Sequence, residues 1–300
     1  MTSKGKKFSV IIPTYNRAKI LEKVLLSLNK QDRPFSDFEV IVINDGSHDS
    51  SYQGVIENLK RKIKYDFFYF PQEKSGRASV RNVGIKKARG RRLVFIGDDI
   101  VVTTNFLREH QRLGKKNVAV LGYTRMPSGM KKNDFMKFLD RSGLQFNYKN
   151  VGKSGEVDFW RFYTSNISLE RKWFNQIAFD GDFGGYGFED TELGYRLAKK
   201  GLKIIFNKKA VAYHFHELDF SDFIRRQKSI GVASFVFARK HPELRSKLIK
   251  PYWSVLLAIS FLVYKTKIIY YFRRDLYWNL AGVYFKYLYY LKARFKQGQS

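Results

Sequence analysis

The chain has 300 residues, contains no cysteine and carries a formal net charge of +29 at pH 7. Without cysteine it has no disulfides and no thiolate metal or redox sites. The strong positive field attracts polyanions, such as nucleic acid, an anionic membrane face or phosphorylated substrates, but does not define the fold. The length is enough for one large domain, or for one domain with an appendage.

Short apolar runs alternate with helical periodicities from Phe8 to Tyr123. This alternation predicts an α/β domain with a Rossmann-like, mostly parallel, doubly wound sheet. The predicted strands are Phe8–Ile12, Phe38–Ile43, Tyr65–Phe70, Arg92–Ile96 and Asn117–Tyr123. The predicted helices are Ile20–Leu28, about Ser50–Lys60, Arg77–Ala88 and Asn105–Leu113.

The periodicity weakens from Pro127 to Phe159, a basic and aromatic stretch that is typical of an insertion. Beyond it, strands are predicted at Phe162–Leu169, Leu202–Phe206 and Ala210–His214, with a helix beginning near Glu189. After Ser221 the pattern is helical to the end. We therefore expect one domain over residues 1–221, in halves of about 1–125 and 126–221, and a basic, aromatic helical extension over 222–300.

Polar residues follow the predicted strands at the points where the strands end. In an open parallel sheet, ligands bind outside the carboxyl ends of the strands. Neither a Gly-x-Gly-x-x-Gly dinucleotide motif nor a Walker lysine loop is present in the sequence. The polar ends contain Pro13, Thr14, Tyr15, Asn16 and Arg17 after the first strand, Asn44 and Asp45 after the second, Lys74 and Gly76 after the third, and Asp98 and Asp99 after the fourth.

A candidate metal site combines Asp98 and Asp99 with His214, which ends the last predicted strand. Carboxylates are the oxygen ligands that Mg²⁺ or Mn²⁺ prefers, and Mn²⁺ tolerates an imidazole better. Such an ion would bridge nucleotide phosphates and stabilise a departing diphosphate. His216 would share the face of His214 if the strand continued. The alternatives are a solvated turn at the two aspartates and a structural histidine.

Glu189 and Asp190 stand at the predicted start of a helix, after a glycine-bearing approach that is able to mould around a ligand. Leu193 and Leu197 mark the buried stripe of that helix, and Gly201 is placed to end it. Two carboxylates at the mouth of a helix indicate a catalytic or binding site. The alternative is N-capping, since Asp190 is a good N-cap and its charge favours the helix dipole.

Seven short motifs occur in a fixed order along the chain. They are Ser9-Val-Ile-Ile-Pro-Thr-Tyr-Asn16, Val42-Ile-Asn-Asp-Gly-Ser47, Gly76-Arg-Ala-Ser-Val-Arg-Asn82, Ile96-Gly-Asp-Asp-Ile100, Thr164-Ser-Asn-Ile-Ser-Leu169, Gly187-Phe-Glu-Asp190 and Ala210-Val-Ala-Tyr-His214. Each is weak alone, but in this order they resemble the motifs of family 2 glycosyltransferases, which have the GT-A fold. The resemblance covers roughly residues 8–245.

The resemblance implies an inverting, metal-dependent transferase that moves a sugar from a nucleotide-diphosphate sugar, with UDP expected, to a hydroxyl of a glycan or lipid-linked acceptor. Residues 1–221 become its catalytic domain, with a nucleotide-binding half followed by an acceptor-side half. The resemblance assigns Asp190 as the general base, Glu189, Asn166 and Gly187 as contacts of the donor or acceptor sugar, and Asp99, His214 and Asp98 as ligands of Mn²⁺ or Mg²⁺. It also assigns nucleotide contacts to Pro13, Thr14, Tyr15, Arg17, Asp45, Lys74, Gly76, Arg77, Arg81 and Asp98.

Two positions depart from the family pattern. Gly97 stands where the Asp-x-Asp motif has its first aspartate, so Asp99 is the second and Asp98 lies between them. Asn44 stands where an aspartate is frequent, so we expect Asp45 to contact the nucleotide base.

Two other functions fit part of the sequence. A basic nucleic-acid-binding protein would use the same charge and aromatic rings for phosphates and bases, but no helix-turn-helix, RNA-recognition or zinc module is recognisable. A nucleotidyltransferase on a related sheet would usually have a glycine-rich loop after the first strand, and Pro13 to Arg17 contains no glycine. Metal-dependent UDP binding would favour the glycosyltransferase.

The extension from Asp222 to Ser300 has 16 Lys and Arg against three acids, a net charge of +13. Its uncharged run, Tyr252–Tyr264, is shorter than the roughly 20 residues that span a bilayer. Aromatic rings and long cations prefer the membrane interface, so we predict interfacial helices on an anionic cytoplasmic leaflet. The alternative is that the extension packs against the catalytic domain or a second subunit.

The basic Met1–Lys7 lacks the apolar region of a signal peptide, so a cytoplasmic, peripheral protein is expected.

Overall fold

The computed structural model describes residues 5–48, 51–248 and 253–297. Four parts of the predictions lie outside these ranges: the first residues of Met1–Lys7, the helix start at Ser50, the run start at Tyr252, and the chain end at Ser300.

The strands and helices of the described chain follow each other in α/β order. The strands are β1 (Phe8–Thr14), β2 (Phe38–Asp45), β3 (Asp66–Gln72), β4 (Arg92–Ile96), β5 (Ile100–Val102), β6 (Val118–Arg125), β7 (Glu156–Val157), β8 (Asn166–Glu170) and β9 (Lys203–His214). The helices are α1 (Ala18–Leu28), α2 (Ser51–Lys62), α3 (Arg77–Lys87), α4 (Phe106–Leu113), α5 (Asp134–Ser142), α6 (Glu189–Lys199), α7 (Phe220–Lys240), α8 (Arg245–Leu248), α9 (Trp253–Thr266), α10 (Ile268–Phe272) and α11 (Arg274–Gln297).

The strands form one sheet in the order β3-β2-β1-β4-β8-β6-β9-β5, and β7 pairs with β9. The first four strands in this order are parallel neighbours, and β6 is parallel to β9. The pairs β4–β8, β8–β6, β9–β5 and β9–β7 are antiparallel. The predicted α/β class is confirmed, and the parallel pairing is concentrated in the first half of the sheet.

Both faces of the sheet are covered, as in a doubly wound fold. Val10 and Ile12 of β1 belong to one buried cluster together with Leu21 of α1. Ile11, which points the opposite way on the same strand, belongs to a second cluster with Leu193 of α6. This alternation is the period of two of a strand whose two faces are both buried.

Several predicted elements differ from those in the structure. The strands predicted at Leu202–Phe206 and Ala210–His214 are one strand, β9, whose pairing with β6 shifts register after Gly122. The exposed Lys208 and Lys209 made this irregularity resemble a break. Where Phe162–Leu169 was predicted as a strand, β8 begins only at Asn166.

The predicted insertion contains an unpredicted helix, α5. Phe135, Met136, Phe138 and Leu139 are its buried residues, so its apolar face follows helical spacing within a stretch whose composition was typical of a loop. The rings of Phe135 and Phe138 lie 5.2 Å from that of Trp278 in α11. The strand β5 was also unpredicted, because three residues are too few for a periodicity signal.

The chain divides into two compact units. The first contains residues up to Lys131, Gly143–Gly181 and Asp190–His216, and it holds the sheet. The second contains Lys132–Ser142, Asp182–Glu189 and the described residues from Glu217 on, and it is helical. The domain boundary after Ser221 stays a prediction. None of the described helices has both the length and the apolar character needed to cross a bilayer.

Candidate active site

The ends of β1 and β4 bring polar residues together because the two strands are parallel neighbours. Thr14 Oγ1 donates a 2.9 Å hydrogen bond to Asp98 Oδ2, and the backbone N–H of Tyr15 donates to the same oxygen at 3.3 Å. Thr14 also lies 2.7 Å from the hydroxyl of Tyr52. Thr14 and Asp98 therefore form one buried polar group at the sheet edge, as the strand-end pattern predicted.

Asp99 lies beside two histidines from the far end of the chain. Its Oδ2 is 3.3 Å from Nε2 of His214 and 3.4 Å from Nδ1 of His216. The short strand β5 produces this contact, because it pairs antiparallel with β9 and places Ile100 opposite His214. The strand β9 ends at His214, yet the backbone N–H of Phe215 still donates to the carbonyl of Asp99 at 2.8 Å and keeps His216 close.

These three side chains form a ligand set for a divalent ion. One ligand atom from each of Asp99, His214 and His216 lies within 4.8 Å of the others. One carboxylate and two imidazoles suit Mn²⁺ better than Mg²⁺, because Mg²⁺ prefers an all-oxygen shell. The arrangement also attracts a cation of the protein itself, since Arg17 contacts Asp98, Asp99 and His216. The residues therefore fit a metal, and His216 joins the predicted ligands.

Burial and neighbouring charges push the two carboxyl groups in opposite directions. Burial, followed by the charge of Asp99, raises the pKa of Asp98 to about 6. Burial would raise the pKa of Asp99 as well, but its contacts with His214 and Arg17 outweigh burial and hold that pKa well below its usual range. Of the two carboxyl groups, Asp99 therefore more strongly favours the ionised form, which is the form in which a carboxylate binds a metal.

Asp45 anchors the loop that precedes α3. Its Oδ1 accepts a 2.7 Å hydrogen bond from the N–H of Ser75, and its Oδ2 accepts one of 3.1 Å from the N–H of Gly76. Lys74, in the same loop, donates to the hydroxyl of Tyr15 at 3.1 Å and lies 4.2 Å from the centre of that ring. Three of the predicted nucleotide residues, Asp45, Lys74 and Gly76, therefore shape one loop that reaches the end of β1.

Not every predicted nucleotide residue is at the surface. Pro13 lies within β1, opposite Ile43, and Arg81 is buried with its guanidinium 5.4 Å from the ring centre of Phe179. Arg77 begins α3, and its carbonyl accepts a hydrogen bond from Arg81 at 3.4 Å. These positions support the shape of the site, and direct nucleotide contacts of Arg77 and Arg81 stay predictions.

Asn166 is enclosed in the sheet. Its Nδ2 donates to the carbonyl of Ala210 at 3.1 Å, and its Oδ1 lies 3.0 Å from Nε2 of His110. His110 is fully buried, and its Nδ1 lies 3.0 Å from Oγ of Ser168. Both polar groups of the Asn166 side chain are used inside the core, so this geometry does not support its predicted contact with a sugar. The sequence offered no signal for His110, a lone histidine on a helix.

The helix α6 begins at Glu189, which places Asp190 in its first turn and not at the N-cap. Asp190 Oδ2 accepts from the N–H of Thr164 at 3.3 Å, and its Oδ1 accepts from the N–H of Thr191 at 2.8 Å. The helix ends as predicted at Gly201, whose φ of +89° permits the bond from Leu202 N–H back to the Leu197 carbonyl. Asp190 is half-buried, whereas Glu189 is only 3% exposed.

The approach to α6 is docked and not loose. Within the second unit, the N–H of Tyr186 donates to Oγ of Ser229 at 2.7 Å. Gly187 has a φ of +107°, and a Cβ there would lie 2.9 Å from Cγ1 of Ile230, so only glycine fits without strain. The predicted freedom of this loop is therefore restricted by its packing on α7.

The fold is that of the GT-A glycosyltransferases. The mannosyltransferase PcManGT from Pyrobaculum calidifontis, solved with GDP-Man and Mn²⁺, superposes with a TM-score of 0.70 over 98% of this chain and 89% of its own, at 18% identity. GalNAc-T7, solved with UDP, GalNAc and Mn²⁺, gives a TM-score of 0.57 over 81% of this chain and 52% of its own, at 15% identity. At these identities the likeness concerns the fold alone.

The sequence then defines the family. The model of glycosyl transferase family 2 matches residues 9–181, and a second model, described as the N-terminal domain of galactosyltransferase, matches residues 151–218. Since the first match covers more than half of the chain, the protein belongs to glycosyltransferase family 2. The family inferred from the seven motifs is confirmed.

Relatives with assigned names are similar over most of the chain. Validoxylamine A glucosyltransferase of Streptomyces hygroscopicus subsp. jinggangensis is 29% identical over 288 residues, covering 85% of this chain and 65% of that protein. Chondroitin synthase of Escherichia coli is 30% identical over 241 residues, covering 69% of this chain and 34% of that protein. The chain thus spans less than two thirds of the length of these relatives.

Proposed function

We propose that this protein transfers a sugar from a nucleotide-diphosphate sugar, with UDP as the expected nucleotide, to a hydroxyl group of a glycan or lipid-linked acceptor, with inversion at the anomeric carbon. The observation that carries the proposal is that Asp98, Asp99, His214 and His216 lie together at the edge of a GT-A sheet, where Asp99 and the two histidines could hold a divalent ion. Family membership favours this reaction over the nucleic-acid and nucleotidyltransferase alternatives.

Asp99, His214 and His216 would hold a divalent ion, preferably Mn²⁺, with Asp98 beside them. When bound, such an ion stabilises the negative charge of a departing diphosphate. The protein side chains would supply what this chemistry requires, namely the carboxylate of Asp99 and the imidazole nitrogens of His214 and His216, which bind a metal in their neutral form. The amide of Gln145, whose Nε2 lies 3.1 Å from Nδ1 of His214, can offer either its N–H or, after a half turn, its oxygen. It can therefore hold either tautomer of His214.

Asp190 is proposed as the general base. In one in-line displacement, the acceptor oxygen bonds to the anomeric carbon while the bond from that carbon to the diphosphate oxygen breaks. The diphosphate leaves with the electron pair, and the hydroxyl proton passes to Asp190. The support is that Thr164 and Thr191 orient this half-buried carboxylate through hydrogen bonds, and that Asp190 lies in the first turn of α6 and not at its N-cap position. A positioned general base typically contributes about 10²–10⁴-fold to the rate.

The loop held by Asp45 is proposed to receive the nucleotide. Lys74 and Tyr15 form one cationic and aromatic surface there, and Arg17 lies nearby in the chain, at the N-cap of α1. A cation and an aromatic ring together suit a phosphate and a flat base.

A peripheral membrane association is proposed for the second unit. Tyr271 and Phe272 of α10 are 80% and 81% exposed, and Leu262 of α9 is 63% exposed. The cations beside these residues in sequence, Lys267 and Arg273, are exposed too. Exposed rings next to cations suit the interface of an anionic leaflet, such as the cytoplasmic face of a membrane, where a lipid-linked acceptor would lie.

A thermal-shift panel of nucleotide diphosphates and their sugars, with and without Mn²⁺, tests the function. We expect one nucleotide with Mn²⁺ to raise Tm by several degrees, because a ligand at 100 times its Kd stabilises by about 2.7 kcal/mol and each 1 kcal/mol raises Tm by about 2–4 °C in a chain of this size class. Each nucleotide without Mn²⁺ should give a smaller shift. No shift with any nucleotide and metal would contradict the proposal.

A further inference from the structure

Arg17 places a positive charge against three of the four proposed metal ligands, Asp98, Asp99 and His216. Its Nη1 donates to Oδ1 of Asp98 at 3.3 Å and also to Oδ2 of Asp99, and its Nη2 lies 2.8 Å from Nδ1 of His216. One guanidinium thus connects both carboxylates and the additional histidine. Asp98 and Asp99 are each only 8% exposed, so removing the guanidinium would leave buried carboxylates without that counter-charge, which costs more than breaking a surface ion pair.

The contact between Arg17 and His216 determines which way the imidazole lone pair points. A guanidinium has N–H donors and no acceptor, so Nδ1 of His216 must accept from it. The same nitrogen lies 3.4 Å from Oδ2 of Asp99, a contact in which Nδ1 would have to donate. We assign Nδ1 of His216 as an acceptor, because its contact with Arg17 is the shorter of the two and a guanidinium can only donate. The lone pairs of His216 and Asp99 therefore both face the guanidinium, as they would face a divalent ion.

Arg17 and a metal cannot use these atoms at the same time. Both are cations, and Oδ2 of Asp99 contacts Arg17 and is also the oxygen within reach of His214 and His216. A divalent ion placed there would be repelled by the guanidinium and would compete with it for the same lone pairs. Binding a metal requires Arg17 to leave.

We propose that the guanidinium of Arg17 takes the place of a divalent metal among Asp99, His214 and His216 until such a metal displaces it. This inference rests on the proposed metal-assisted transfer and extends it to the order of binding. Without the guanidinium, two neighbouring buried carboxylates would repel each other, so Arg17 keeps the site assembled before the metal arrives.

Once displaced, the guanidinium of Arg17 can bind another anion at the same edge of the sheet. Arg17 lies at the N-cap of α1, immediately after β1, and its backbone N–H donates to the hydroxyl of Tyr52 at 2.8 Å, which anchors the main chain while the side chain moves. A diphosphate is the ligand that a freed guanidinium recognises best. Metal and nucleotide diphosphate should therefore promote each other's binding, and by linkage the two effects are equal.

Mn²⁺ binding, measured by electron paramagnetic resonance of the free ion and by calorimetry, tests this inference without an activity assay. The variants are Arg17→Gln and, as a matched control for the lost charge, Lys19→Gln, because Lys19 is exposed on the first turn of α1. Without nucleotide, we expect Arg17→Gln to bind Mn²⁺ at least tenfold more tightly than Lys19→Gln. The tightening of Mn²⁺ binding by UDP should be smaller in Arg17→Gln than in the unmodified protein.

Equal or weaker Mn²⁺ binding by Arg17→Gln than by Lys19→Gln would overturn the inference while leaving metal-assisted transfer in place. Absence of Mn²⁺ binding in every protein, with and without UDP, would instead overturn the metal-dependent function and this inference with it. If Arg17→Gln does not fold, Arg17→Lys provides the same test. A lysine keeps the charge but cannot connect three partners, so it should still bind Mn²⁺ more tightly than the unmodified protein, and unchanged affinity would refute the proposal.

Discussion

Nε2 of His214 lies 3.3 Å from Oδ2 of Asp99, and this contact joins the tight turn after β4 to the end of the last strand. Antiparallel pairing of Ile100 with His214 fixes it, so the two side chains are held by the sheet and not by a mobile loop. A ligand set built on paired strands is preorganised, which lowers the cost of assembling a metal site.

Loss of a proposed ligand should weaken metal binding in a way that depends on the ion. We expect Asp99→Asn and His214→Ala to lower Mn²⁺ affinity in the presence of UDP at least tenfold by calorimetry. His216→Ala should lower Mn²⁺ affinity more than Mg²⁺ affinity, because Mg²⁺ gains less from an imidazole. His241→Ala, in the second unit, serves as the control and should leave both affinities unchanged. Unaltered Mn²⁺ binding in all three ligand variants would refute the site.

Replacing Asp190 should separate catalysis from capping. Asp190→Asn keeps an oxygen that can accept from Thr164 or Thr191 but cannot take a proton, so turnover should fall by about 10²–10⁴-fold while UDP affinity and Tm stay near those of the unmodified protein. The exposed Asp158 offers a matched control, and Asp158→Asn should have full activity. Normal turnover by Asp190→Asn would exclude it as the base.

Asp45 should control nucleotide binding through the loop that it anchors. Asp45→Asn leaves one of the two N–H groups of Ser75 and Gly76 facing an amide N–H₂, and an unsatisfied group of this kind costs about 1–3 kcal/mol. We therefore expect UDP affinity, measured by calorimetry, to fall about tenfold relative to Asp158→Asn. A normal UDP affinity would mean that the loop does not bind the nucleotide.

The buried His110 should make stability depend on pH. Burial lowers the pKa of His110 to about 3, so the unfolded chain binds this proton more readily than the folded one. The stability contribution is complete above the unfolded pKa of about 6.5 and is lost as the pH falls below it, by about 2 kcal/mol between pH 7 and pH 5. Urea unfolding of His110→Gln at both pH values should lack this part of the loss. An identical pH dependence in variant and unmodified protein would contradict the assignment.

The exposed residues of α10 and the cations on either side of it should make the proposed membrane contact. Replacing Tyr271 and Phe272 by serine, or Lys267 and Arg273 by glutamate, should reduce flotation with anionic vesicles at low salt several-fold, because rings and cations act together at an interface. Phe295→Ser removes another exposed ring, 68% exposed, from the end of α11 and should have little effect. Full flotation of both the serine variant and the glutamate variant would argue for packing against another subunit.

The sequence by itself determined the α/β class, the parallel first four strands, the helix that begins at Glu189 and stops before Gly201, and the polar strand ends. These features depend on local signals: buried strands have period two or continuous apolar runs, helices have period 3.6, and a left-handed glycine ends a helix wherever it lies. The order of the seven motifs also identified the family, because this order can be recognised along the chain without knowing how far apart the motifs lie in the folded protein.

Only the tertiary structure decided which of these polar residues meet. The three-residue strand β5 is too short to predict, yet its pairing with β9 brings Asp99 to His214 and leaves His216 close enough to be a third proposed ligand. The enclosure of Asn166 by His110 and the contact of Arg17 with both carboxylates likewise depend on residues far apart in the chain. Strand pairing and burial depend on residues that are far apart in the chain. The sequence pattern therefore places the polar residues at an edge of the sheet, and the fold decides which of them contact each other.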